Sequence, residues 1–219
     1  MPVKPELTEA WLWLDKLYLF FEDIIGRIMT PAAQRAVIVA SVSGSSAIVA
    51  GLGHEVASGA ISLSQWETGM RLQIKNAYIQ QYLSGIGGVE MMGFAEYGSI
   101  GGMLTEQYGY LNKFADQIAA GNLSEAEIIR RSEMYMNSSR EAYERANARA
   151  RGVPELPQYP GDGNTQCLTN CACYWDIITE WQEGAMVGWN CYWTLSVADH
   201  CEDCLDNNGK WAPLFVPVL

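Results

Sequence analysis

All six cysteines of this 219-residue chain lie after residue 166, which confines whatever they build to one C-terminal module. Cys167, Cys171 and Cys173 come from the run CLTNCAC, Cys191 stands alone in an aromatic stretch, and Cys201 and Cys204 form HCEDC. A Cys-x-x-Cys pair facing a second dense thiol group can bring four thiolates around one tetrahedral zinc ion without straining the backbone. Cys201 and Cys204 are the expected ligands, joined by two of Cys167, Cys171 and Cys173. In an extended segment Cys171 and Cys173 project to the same face, because side chains alternate with a period of two. Cys191 reads as a small buried residue. His200 could replace a thiol, but its position directly beside Cys201 reads as that of a neighbour. Unliganded structural thiols and three disulfides are the rival readings. The amino terminus MPVKPELTEAWLWLDK carries acids where a secretory leader would be basic, so folding in a reducing compartment with free thiols is the expectation.

The charge is as uneven as the cysteines. Residues 152–219 hold nine acids and one base, Lys210, whereas residues 1–151 hold sixteen acids and thirteen bases. A zinc module in so acidic a setting is poorly suited to neutralising phosphates, so protein contacts are expected and specific nucleic-acid binding is not. The chain has eight Trp and eleven Tyr. Most should fill an ordinary core, while Trp189, Trp193, Trp211 and Phe215 are candidate interaction residues, since aromatics are enriched at interfaces.

Hydrophobic spacing ahead of the cysteines is helical. Leu7, Trp11, Leu14, Tyr18, Phe21, Ile25 and Ile28 form one apolar stripe over residues 6–29. Residues 36–53 are uncharged and reach the length of a membrane span, but four Ser and three Gly make them weakly apolar. A buried, closely packed helix is the expectation there. Ser64-Gln-Trp-Glu67 and Ser124-Glu-Ala-Glu127 match the capping box, predicting helices over about 65–83 and 125–150. Between them Gly93, Gly98, Gly101, Gly102 and Gly109 imply close helix contacts, a break, or both. Residues 153–166, with three Pro and two Gly, read as an extended linker. Tyr174–Thr179 and Trp189–Leu195 read as strands of a hairpin, and the apolar end from Trp211 is expected to dock on that module. The fold class is mainly α: a multi-helix body over 1–152, the linker, and a small α+β, zinc-knuckle-like module over 167–219.

Catalysis is not expected. The two histidines are His54, read as a surface or helix-end residue, and His200. His200-Cys201-Glu202 matches zinc deaminases only superficially, because the Cys-x-x-Cys there lacks its Pro and already uses Cys201.

The runs GAISLSQWETGMRLQIKNAYIQQYLSGIGG (59–88), QYGYLNKFADQIAAGNLSEAEIIRRSEMYMNSSREAYERA (107–146), PQYPGDGNTQCLTNCACYWDI (157–177) and YWTLSVADHCEDCLDNNGKWAPL (192–214) resemble a group of tailed-phage head proteins. That group is loosely related to the Mu-type minor head, or head morphogenesis, family. The resemblance covers most of the chain after residue 58. It implies a portal-associated virion structural protein without enzymatic activity, assembled in the host cytoplasm, oligomeric in the virion and in contact with portal, capsid or neck subunits. It also implies a metal-binding role for Cys171, Cys173, Cys201 and Cys204, with Cys167 as a fifth candidate. In the Mu-type pattern the Cys-x-x-Cys precedes the Cys-x-Cys; here the order is reversed. The alternatives are an ejected or membrane-active virion protein using residues 36–53, and a metal-dependent hydrolase.

Overall fold

A computed structural model of the chain describes residues 31–181 and 187–217, so the helix expected over 6–29 lies outside the described residues. Five helices come first: α1 (Pro31–Ala57), α2 (Leu63–Ile86), α3 (Phe94–Ala119), α4 (Glu125–Ser138) and α5 (Arg140–Ala150). Strand β1 (Tyr174–Trp181), strand β2 (Val187–Thr194), helix α6 (Glu202–Lys210) and strand β3 (Leu214–Pro217) follow. The fold is therefore mainly helical, with one small antiparallel sheet in the order β1-β2-β3.

Helix α2 is the axis of the helical body. Trp66, Met70, Ile74, Tyr78, Tyr82 and Ile86 recur every four residues, and all are buried. At about 100° per residue, a spacing of four drifts by about 40° each time, so the apolar stripe winds around the helix. That is why α2 meets α1, α3, α4 and α5. Trp66 packs edge-on against Phe114 of α3, with ring centroids 5.3 Å apart, and Phe114 stacks on Tyr135 of α4. The Tyr78 hydroxyl donates to Ser138 Oγ at 3.0 Å, which satisfies a polar group carried deep into the core. Where α2 crosses α5, Gly85 faces the Tyr143 carbonyl and Ala146, and a Cβ at Gly85 would overlap both.

The helix starts differ from expectation in one case. Ser124 caps α4 with Glu127 as its box partner, as the pattern predicts. The cap of α2, however, is Ser62 with Gln65, and Ser64 already lies inside the helix, its carbonyl accepting from Thr68. Both Ser-x-x-Glu and Ser-x-x-Gln satisfy the box. Ile61, just before the earlier cap, joins the core that buries Trp66 four positions into the helix, so the apolar staple selects Ser62. Helix α2 also runs through Gly85 and ends at Gly87, which takes the left-handed conformation at φ 96°.

The single helix expected over 125–150 is two. Ser138 Oγ donates back to the Tyr135 carbonyl and Ser139 Oγ to the Met136 carbonyl, at 2.9 and 2.6 Å. Side-chain bonds of this kind compete with the helical ladder and restart it at Arg140. The glycine-rich stretch shows the expected break at Gly93 and no close contact at the glycines after it. Gly93 is the cap of α3, donating its N–H to Glu96 Oε2, while Gly98, Gly101, Gly102 and Gly109 face open space along an unbroken helix.

Helix α1 packs through Ile38, Val42 and Val49, while Val39 and Ile48 on its other side are exposed. The buried, closely packed helix expected over 36–53 is thus packed on one face among the described residues. It is also long and apolar enough to cross a membrane, over Ala36–Ala57.

Residues 153–166 contain no helix or strand, yet Val153, Leu156 and Tyr159 are buried in a second core with the sheet. In β1, Trp175 and Ile177 are buried between exposed Asp176 and Ile178, the alternation of a sheet covered on one side. Trp175 pairs with Trp193, and Ile177 with Cys191. The apolar end docks where expected, β3 pairing with β2 over Leu214 to Pro217. Helix α5 lies between the two cores and is tied to the second. Glu144 accepts from the Trp175 backbone N–H, and the Arg151 guanidinium donates to the Ile177 carbonyl at 2.9 Å.

Candidate metal centre

Three pieces of chain build the thiol cluster. The first is the irregular segment from Asn164 to Cys173. Asp162 accepts from the backbone N–H groups of Tyr159 and Asn164, fixing the turn that leads in. A 3-10 turn over Leu168–Asn170 then separates Cys167 from Cys171. Cys173 immediately precedes β1. The second piece is the first turn of α6, where Cys201 is the cap residue and Cys204 lies three residues on. Asp203 accepts from the Gln166 N–H at 2.7 Å, clipping this helix to the first segment. The third piece is the loop carrying His200.

All five thiols expected as ligands converge. Cys201 Sγ lies 3.4 Å from Cys167 Sγ, and Cys204 Sγ lies 3.6 Å from Cys167 Sγ and 3.5 Å from Cys171 Sγ. These separations far exceed an S–S bond of about 2.05 Å, and all six cysteines are free. They are close to the roughly 3.8 Å edge of a tetrahedron built on 2.3 Å zinc–sulfur bonds. Two sets of three sulfurs have all members within 4.8 Å of one another: Cys167, Cys201 and Cys204, and Cys171, Cys173 and Cys204. Cys171 and Cys173 fall together, as the two-residue alternation requires. The arrangement can hold a metal ion.

Electrostatics fit that use. Hydrogen bonding with Cys173, then burial, raises the Cys171 thiol far above its ordinary range. Burial and the neighbouring Cys171 do the same for Cys204. So many thiolates cannot coexist bare, and a divalent cation is the group that would let them ionise together. Burial also raises Cys201, but hydrogen bonds with the Cys204 backbone, the Cys167 thiol and the Cys167 backbone outweigh it and lower the thiol overall. On the other side of the cluster Arg140 of α5 donates to the Cys171 carbonyl at 3.4 Å, and its buried Nε has no partner among the described residues.

Cys191 is apart, fully buried in β2 opposite Ile177, and burial alone pushes its thiol up to about 11. The small-core reading of this residue stands. The interaction residues need correction. Trp189, Trp193 and Trp211 are buried, and Trp193 and Trp211 close around Trp175 with ring centroids 5.2–5.7 Å apart. Their apolar area is spent inside the module, and of the four only Phe215 is exposed. His200, read as a neighbour, turns its Nδ1 to Cys173 Sγ at 3.7 Å. His54 closes α1 at the surface with Nδ1 on Glu125.

No family model, curated protein or solved structure matches this chain.

Proposed function

We propose that this chain is a non-enzymatic structural protein of a tailed-phage head or neck, whose zinc-stapled C-terminal module contacts neighbouring virion subunits. One observation carries the metal half of this reading: two sets of three thiols, each drawn from two separate segments, come within metal-ligand spacing inside the module. Thiolate and imidazole donors suit zinc above the harder cations. The ligands sit among the side chains of the second core, where Cys171, Cys173 and Cys204 are buried with the tryptophans. A metal held there replaces apolar area that so small a module lacks.

The virion half is supported by the resemblance of residues 59–88, 107–146, 157–177 and 192–214 to phage head proteins. Leu168, Ile178, Leu205 and Phe215 are exposed on the module and offer apolar contact area for other subunits, portal, capsid or neck. Nine acids against one base in this region favour protein over nucleic acid as the partner. The test is replacement of Cys201 and Cys204 by Ser, followed by thermal melting and by incorporation into particles in the host cytoplasm. The reading expects loss of both; a double variant that melts normally and still enters particles would overturn it.

A second reading has its own observation. Most of the apolar stretch of α1 is exposed among the described residues, Val39 and Ile48 included, so an apolar helical face is open to a bilayer. Flotation with liposomes separates the two, since a membrane-active virion protein floats and a purely structural one stays at the bottom.

A further inference from the structure

The five sulfurs run in a row of close contacts and are not gathered about one point. Cys201 leads to Cys167 at 3.4 Å, Cys167 to Cys204 at 3.6 Å, and Cys204 to Cys171 at 3.5 Å. Cys171 and Cys173 lie within 4.8 Å of each other, and Cys173 leads to His200 Nδ1 at 3.7 Å. Two thiolates of one zinc ion can be no farther apart than about twice the 2.3 Å bond. The two sets of three that meet such spacing share a single atom, Cys204 Sγ, in the middle of the row.

His200 stands outside both sets: its Nδ1 lies 3.7 Å from Cys173 Sγ but shares the 4.8 Å spacing with no second sulfur, and its Nε2 lies 3.0 Å from the Ser196 carbonyl oxygen.

We propose that the cluster binds two metal ions bridged by Cys204 Sγ, an inner one on Cys171, Cys173 and Cys204, and an outer one on Cys167, Cys201 and Cys204. The inner ion has three buried thiolate ligands, and solvent completes the outer one beside the half-buried Cys167 and Cys201. Two dications also nearly balance five thiolates, which one dication does not. This rests on the reading of the module as metal-binding.

The test uses the full chain purified without chelator, loaded with zinc or cadmium-113 and desalted. Two zinc ions per chain and two mutually coupled cadmium signals are expected. Cys173→Ser should fall to one ion and keep the outer signal, while Cys191→Ala should keep both. One zinc per chain with a single cadmium signal, unchanged in Cys173→Ser, would overturn the bridge and leave a metal-stapled module intact. No bound metal would overturn both readings. Should Cys173→Ser fail to fold, X-ray absorption on the zinc-loaded wild type decides. Metal–metal scattering at roughly 3.5–4 Å supports the pair, and its absence overturns it.

Discussion

Gly85 sits where α2 and α5 come closest, with the Tyr143 carbonyl in the space a methyl group would take. Backbone cannot yield as a flexible side chain can, so Gly85→Ala should cost about 1–3 kcal/mol or more in urea unfolding. An unchanged midpoint would mean that the helices separate freely. Glu141, one turn back on α5, is a different case. Burial raises its carboxyl, and the hydrogen bond from Arg145 at 2.7 Å opposes that only in part. A raised carboxyl contributes most below the ordinary carboxylate pKa, and the contribution is lost as pH climbs through the raised value. Wild type should therefore lose melting temperature relative to Glu141→Gln as pH rises above the ordinary carboxylate range; parallel curves would contradict this. Neither residue was legible beforehand. Gly85 reads in sequence as a helix break, because what it accommodates is sixty residues away. His200 reads as a neighbour of Cys201, and in the fold it faces Cys173 yet joins neither set of three thiols. The cysteines were legible, since short spacings leave few ways to arrange thiols.

At the scale of elements, local chemistry did most of the deciding. The box at Ser124 closes with Glu127 Oε2 accepting from the Ser124 N–H at 2.9 Å. Ser124→Ala should remove about 1 kcal/mol from unfolding of the helical body, read by the midpoint of far-ultraviolet dichroism. The same change at Ser64 should cost less, since Ser62 holds the cap. Those two serines show the limit of pattern reading: both precede a Glu or Gln by three, and only burial of Ile61 and Trp66 chooses between them. The glycines of α3 show it again. Gly98 and Gly109 meet nothing within 4 Å, so Ala at either should stabilise the helix by about 1 kcal/mol, the reverse of Gly85. A loss of stability at both would reveal contacts absent from the isolated chain. Strands β1 and β2 were legible from their aromatic and β-branched residues. The inward direction of Trp189 and Trp193 was not, because alternation gives two faces without saying which is covered.

Across the whole molecule, the cysteines and the helical core are segregated. The core of α1 to α5 is built on Trp66, Tyr78, Leu111, Phe114 and Met136 and contains no thiol, whereas every cysteine belongs to or borders the second core. Metal removal should therefore act on one part. Chelation of the purified chain should leave most of the helical dichroism in place, because α1 to α5 supply it and keep their own packing. The second core should loosen, exposing Trp175, Trp193 and Trp211 and moving tryptophan emission to the red. Helix α5 limits how cleanly the two separate. Ala142 and Ala146 face the first core, Ala148 joins the second, and Arg140 reaches the Cys171 carbonyl. Thermal melts of the metal-loaded chain should thus show one transition, and melts after chelation should show the module's loss before that of the body. Collapse of helical dichroism on chelation would mean that α5 depends on the thiol cluster for its place. An unchanged emission maximum would mean that the tryptophan core holds the module without metal.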